Sequence, residues 1–205
     1  MSSAAPFREQ ATLLTTRLRL EPLGLDHFDG MWEGLQDPEV MRLTGTHATF
    51  TREQITAYLG SRAQAHDRAD WAIVRCEDNA FIGEVVFNDL DVDNRSLAMR
   101  MSLNSPLLFG QGYGTEALRA VVAHAFDDVG MHRISLEVFS FNPRARRAYE
   151  KCGFAVEGRY REALRWDGRW HDVIVMGILA TDPRDSPPDP RAAGTAPGEL
   201  AVPAP

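Results

Sequence analysis

Residues Leu108–Phe154 read LFGQGYGTEALRAVVAHAFDDVGMHRISLEVFSFNPRARRAYEKCGF. The order within this run is a glycine-punctuated loop, a helix, a strand and a second helix. Gly110, Gly112 and Gly114 alternate through Phe109–Thr115. Glycines let successive backbone N–H groups turn toward one point and let a ligand come close. The helix that follows carries Leu118, Val121, Val122, Ala125, Phe126 and Val129 on one face, and Gly130 is its expected stop. The free N–H groups of its first turn would face the loop, so loop and helix together predict an anion site. The helix dipole alone is worth roughly 0.3–1 kcal/mol, so hydrogen bonds must supply most of the hold.

Taken alone, GxGxG also describes a tight turn before a helix. The dinucleotide fingerprint asks for GxGxxG directly after a strand and an acid about 20 residues later. Here Pro106 and a short loop come first, the spacing is GxGxG, and the P-loop lysine is absent. His132–Phe141 (HRISLEVFSF) predicts a strand. Asn142 is a good N-cap and Pro143 a good first helical residue. Tyr149 lies seven residues after Asn142, two turns along the same face. Read one at a time, Asn142 is a cap and Tyr149 a packed aromatic with an exposed hydroxyl.

Working outward, Leu13–Leu23 alternates in part and predicts a strand closed by Pro22 and Gly24. Leu25–Leu35 carries Leu25, Phe28, Met31, Trp32 and Leu35 at helical spacing. Thr51-x-x-Gln54 is a capping-box pattern that opens another helix. Trp71–Cys76, Ala80–Asp89 and Ser96–Leu103 predict an antiparallel meander. Ala155–Arg165 and Trp170–Leu179 predict a hairpin across Asp167-Gly168. The sum is an α+β fold: a mixed, mostly antiparallel sheet of six or seven strands flanked by about four helices.

The chain has 205 residues, 44% of them hydrophobic, enough for one domain with a substantial core. We assign that domain to 12–180, with a flexible leader at 1–11. Residues 181–205 hold seven of the twelve prolines and no aromatic residue, and are expected to be a disordered tail. No apolar run is long enough to span a membrane, and the first ten residues lack a signal pattern. Net charge is -7, which provides no general attraction to nucleic acid. Cys76 and Cys152 fit no metal-ligand spacing and read as reduced core thiols of a cytoplasmic protein. The six histidines are scattered, so no metal site is expected.

The glycine loop, the run Asn-x-x-Ala-x-x-Ala-Tyr-Glu-Lys-x-Gly-Phe from Asn142 and the strand between them resemble the GNAT N-acetyltransferase superfamily. The pieces Thr16–Leu20, Gly83-Glu84 and Glu157-Gly158 through Asp172-Val173 look like its ribosomal-protein alanine N-acetyltransferase (RimJ/RimL-like) branch. The resemblance spans Leu13 to Leu179 in architecture and is motif-specific over Leu103–Phe154. It implies a sheet splayed at its centre, acetyl-CoA as acyl donor, an amine acceptor and a homodimer as one arrangement. It implies that Phe109, Gly110, Gln111, Gly112, Tyr113, Gly114 and Thr115 bind the pyrophosphate. Asn142 and Leu103 would meet the pantetheine arm, and Tyr149 would lie near the sulfur. The family often has Arg or Gln where this chain has Phe109.

In that reading Tyr149 is the acid for the departing thiolate, and a backbone N–H near Met101–Leu103 holds the oxyanion. Glu84 is the first choice of base, ahead of Asp89 and Glu137. An α-amine costs about 1 kcal/mol to deprotonate at pH 7 and a lysine about 5, so a modest base mildly favours an α-amine. Arg144, Arg146 and Arg147 read as a solvated helix face or as contacts to the 3′-phosphate. Two other readings stay open: a catalytically silent acyl-CoA-binding sensor, and a transferase of another acyl group such as succinyl.

Overall fold

The structure is a computed structural model, and it describes residue 7 and residues 10–184. Among the described residues, eight strands form one sheet in the order β1-β2-β3-β4-β5-β6-β8-β7. They are β1 (Leu13–Leu14), β2 (Leu18–Pro22), β3 (Ala69–Arg75), β4 (Phe81–Asp91), β5 (Ser96–Leu103), β6 (Arg133–Phe139), β7 (Ala155–Trp166) and β8 (Arg169–Leu179). Every neighbouring pair is antiparallel except β5 and β6, which run parallel. The helices are α1 (Phe28–Gly34), α2 (Pro38–Thr44), α3 (Arg52–Ser61), α4 (Tyr113–Ala123) and α5 (Pro143–Lys151).

The expected first strand is two. The backbone N–H of Thr15 donates to the Leu18 carbonyl and the Thr15 hydroxyl caps the same turn, so 13–22 folds as a short hairpin. That division supplies the eighth strand. The fifth helix is α2, whose start signal lies in the sequence: Asp37 accepts from the N–H groups of Glu39 and Val40, and Pro38 follows it. Thr51 and Gln54 form the reciprocal capping box that opens α3.

Both faces of the sheet are covered, which explains the apolar run Trp71–Val74 within β3. Trp71 and Ile73 enter the main core, while Ala72 and Val74 enter the smaller one with Met31, Ile55 and Leu59 of α1 and α3. The main core is built by α4, whose Leu118, Val121 and Val122 are buried, with Tyr149 and Cys152 from the α5 side. After Ala123 the helix widens into a π-turn over His124–Asp128, and Gly130 follows at φ 79°.

Three expectations change at the edges. Phe7, placed in the leader, is buried against Trp71 and Phe87, and Gln10 donates to the Asp70 carbonyl. Cys76 is exposed rather than a core thiol, whereas Cys152 is buried. Of the 181–205 tail, residues 181–184 are described: Asp182 accepts from the Leu179 N–H and Arg184 pairs with Asp127. The remainder of that segment, 185–205, lies outside the described residues.

Candidate active site

The central strands part. β5 and β6 pair only at Ser96–Arg133, Leu97–Ile134 and Ala98–Ser135. Beyond Ala98, β5 stays with β4 as far as Leu103 opposite Gly83, and β6 stays with β8 as far as Phe139 opposite Val173. A wedge opens, and alternate N–H groups of Met99–Leu103 face it without a strand partner. β4 approaches β5 closely there because residue 83 is glycine: a Cβ on Gly83 would stand 2.2 Å from the Ser102 carbonyl oxygen. Two cavities of about 230 and 580 Å³ meet at the wedge. Both are lined by Met101, Ser102, Asn142, Ala145 and Tyr149.

The smaller cavity gathers most of the sequence-predicted binding residues: Leu103, Phe109, Gly110, Gly112, Gly114, Thr115 and Asn142. Gln111 and Tyr113 do not turn their side chains into it. The Gln111 amide donates to the Leu107 carbonyl at 2.6 Å, and Tyr113 is buried in the main core beneath Arg17. Gly112 sits at φ 86°, a left-handed turn that swings the chain into α4. The Glu116 N–H is the first to bond backward, to the Gly112 carbonyl at 3.0 Å. The N–H groups of Tyr113, Gly114 and Thr115 therefore point out of the helix end.

Cations complete that cavity. Arg144, Arg147 and Lys151 line it, at i, i+3 and i+7 along α5. Arg146 points elsewhere and pairs with Glu150 at 2.8 Å. The Arg144 guanidinium lies 3.7 Å from the Phe109 ring centroid, so Phe109, where the family often has Arg or Gln, props a cation instead of making a polar contact itself. Burial lowers the Arg144 pKa from its ordinary value, with Arg147 and Arg42 acting in the same direction and Glu39 opposing. An anion would relieve this. A cradle of backbone N–H groups beside three cationic side chains suits a ligand with several phosphate charges.

Asn142 performs its cap role, accepting from the Ala145 N–H at 3.1 Å, and also lines both cavities. Tyr149 is 5% exposed, and burial pushes its phenol up to about 12. It therefore stays protonated at neutral pH and can donate. Glu84 lines the larger cavity. Its Oε2 is buried with no hydrogen-bond partner among the described residues, and Arg100 approaches its Oε1 only to 3.7 Å. Burial raises the Glu84 carboxyl above its ordinary value against the pull of Arg100. Glu137 lines the same cavity from β6, whereas Asp89 is exposed in a bulge and bonded to Asn88.

Several site residues carry no motif. Tyr58 of α3 donates to Asp70 at 3.2 Å, and burial with the Glu84 and Asp70 charges pushes its phenol up to about 12. Arg68 holds Asp70 in a two-point pair at 2.7 and 2.6 Å. Val40, Leu43 and Thr44 wall both cavities from α2. Lys151 was legible as the continuation of the Arg144–Arg147 spacing. Tyr58 and Arg100 had no local signal. Trp166 stacks on His47 at 4.6 Å, and Trp170 is 58% exposed at the hairpin.

A family model described as an acetyltransferase (GNAT) domain matches residues 17–155. YjcK of Bacillus subtilis, named a probable N-acetyltransferase, is 31% identical over 64% of this chain and 72% of its own length. The spermidine N(1)-acetyltransferase of Vibrio cholerae is 30% identical over 56% of this chain and 66% of its own length. The solved spermidine N-acetyltransferase from Vibrio cholerae, in complex with CoA and spermine, superposes with a TM-score of 0.74. It covers 80% of this chain and 96% of its own at 21% identity, a likeness of fold. The relatives are N-acetyltransferases of several kinds rather than one branch. With the parted strands, the glycine cradle and a family match over most of its length, this chain belongs to the GNAT acetyltransferase family and is an acyltransferase.

Proposed function

We propose that the protein transfers an acetyl group from acetyl-CoA to a primary amine by direct attack within a ternary complex. The observation that carries this reading is the meeting of the two cavities at Tyr149, one under the glycine cradle and one holding Glu84. When bound, the donor supplies a thioester carbon open to attack by an amine lone pair.

The loop amides of Gly110–Thr115 hold the pyrophosphate, and Arg144, Arg147 and Lys151 add charge. Leu103 and Asn142 border the path of the pantetheine arm. Glu84, with its unpartnered oxygen, takes a proton from the incoming ammonium, directly or through water. Unpaired N–H groups on β5 stabilise the oxyanion as the C–N bond forms. Tyr149 gives its proton to sulfur as the C–S bond breaks, leaving an amide and free coenzyme A. Alignment in one wedge supplies a further part of the rate. The pieces at Thr16–Leu20 and Asp172-Val173 support descent within the RimJ/RimL-like branch, and carry no claim about the acceptor.

The test is release of free coenzyme A from acetyl-CoA across an amine panel, beside calorimetry with coenzyme A. Amine-dependent release supports transfer. Tight binding with no amine-dependent release leaves a silent binder, and no affinity for coenzyme A removes the reading.

A further inference from the structure

The larger cavity is mostly apolar. Met31, Leu35, Leu43, Phe50, Ile55 and Phe139 form its walls. Its charged lining is two carboxylates and one guanidinium, Glu84, Glu137 and Arg100, so with both carboxylates ionised, the form in which Glu84 can act as base, it carries one net negative charge and never more. The nearby Asp70 adds no negative charge, because two guanidiniums face it, Arg68 at two points and Arg62 at 3.8 Å, and the surplus positive charge of that cluster further disfavours a multiply charged cation. One incoming ammonium matches that balance. A polyamine brings three or four positive charges, and the surplus would enter a low-dielectric wall without counter-charges, at a heavy cost. The walls instead reward a body that sheds water from apolar surface.

We propose that the acceptor is a primary monoamine carried on an apolar, aromatic-sized body, and not a polyamine such as the one named for the Vibrio cholerae relative. This deepens the amine-transfer reading and rests on it. The same chemistry occurs in a free arylalkylamine and in a peptide whose first residue is large and apolar. In either case the ammonium approaches Glu84 and the apolar body lies against Phe50, Ile55 and Phe139.

The test titrates the full chain, without coenzyme, with 2-phenylethylamine, a phenylalanyl dipeptide amide and spermidine, and then compares kcat/KM for the three. At least tenfold preference for one of the apolar amines over spermidine is expected in both measurements, and the faster of the two names the source. Equal or better spermidine use overturns the inference, as does a lack of binding by both apolar amines. Selective amine binding by a chain that has no affinity for coenzyme A would strike the acyl-donor reading alone.

A variant reads the charge argument directly. Gln54 lines the cavity and closes the capping box by accepting from the Thr51 N–H. Gln54→Glu keeps that bond, because a glutamate serves the box equally well, and adds one carboxylate to the lining. The ratio of apolar amine to spermidine is expected to fall at least threefold. An unchanged ratio in a folded variant overturns the argument from charge.

Discussion

Arg17 and Glu116 form an ion pair at 2.6 Å across 99 residues of sequence, tying the β1–β2 turn to the first turn of α4. Arg17 also donates from Nη1 to the Gln111 carbonyl at 3.0 Å, so one guanidinium pins both ends of the glycine loop. Burial alone would raise the Glu116 carboxyl. The Thr15 hydroxyl, the Arg17 N–H and the Arg17 guanidinium outweigh it and hold it below its ordinary value. A lowered carboxylate stabilises the fold above its unfolded pKa and loses that contribution as pH falls through the folded value. Arg17→Ala is expected to cost about 1–3 kcal/mol of stability, since it leaves a buried carboxylate short of donors. It should also weaken coenzyme A binding, read by calorimetry on folded material. Unchanged affinity would remove Arg17 from the support of the loop.

Glu84 predicts a pH dependence of the opposite sense. Its carboxyl is raised by burial, so the charged form is the costly one in the fold. As a base it works only when ionised, and kcat/KM should rise with pH along a limb above the usual carboxylate range near 4.3. Glu84→Gln should abolish that limb and lower turnover at least tenfold, an expected loss within the range seen for a general base. The same variant should be more stable than the parent at neutral pH, with the gain vanishing as acid protonates the parent. A variant with an unaltered pH–rate profile would exclude Glu84 as the base.

What the sequence disclosed followed how local each signal is. The capping box at Thr51, the glycine stop at Gly130 and the Asn142-Pro143 helix start are set by residues within one turn, and each occurs at its expected place. The first strand reads as one because the polar stretch Thr15–Arg17 carries no Gly or Pro to mark a turn, and the bonds that turn the chain there are the Thr15 backbone and hydroxyl contacts to Leu18. The donor side was legible because backbone in a glycine loop needs few partners. The acceptor side was legible only at Glu84: the groups around it, Tyr58, Arg100 and Asp70, come from a helix and two other strands, and meet it only through the sheet register.

Tyr149 tests the acid step. Tyr149→Phe keeps the ring that packs edge-on against Phe154 at 5.9 Å and removes only the hydroxyl. Turnover should fall well over tenfold with little change in coenzyme A affinity, and the melting temperature should shift little. A silent binder would show no such split, because no proton is needed for binding. Full activity in the variant would assign sulfur protonation to water.

Gly112 tests the cradle. At φ 86° any side chain costs roughly 1–2 kcal/mol of backbone strain. A Cβ there would also stand 3.2 Å from the Arg17 guanidinium. Gly112→Val is expected to abolish coenzyme A binding. Circular dichroism must show a folded chain for the result to count. Normal binding by a folded variant would remove the loop from phosphate recognition.

The cationic face of α5 separates a docking role from a solvated one. Arg147 and Lys151 line the donor cavity, whereas Arg146, one residue from Arg147, is spent on Glu150. Charge-assisted hydrogen bonds to phosphate are worth about 1.5–3 kcal/mol each, so Arg147→Ala should weaken coenzyme A binding about tenfold or more. Arg146→Ala should leave it within twofold, because its partner faces away from the cavity. The loss should shrink as salt rises, since partly exposed charges are screened within about 8 Å at physiological ionic strength. If the contact is to the 3′-phosphate, dephospho-coenzyme A should bind parent and Arg147→Ala alike. Equal losses for Arg146 and Arg147 would mean that the helix attracts coenzyme A only through its overall charge.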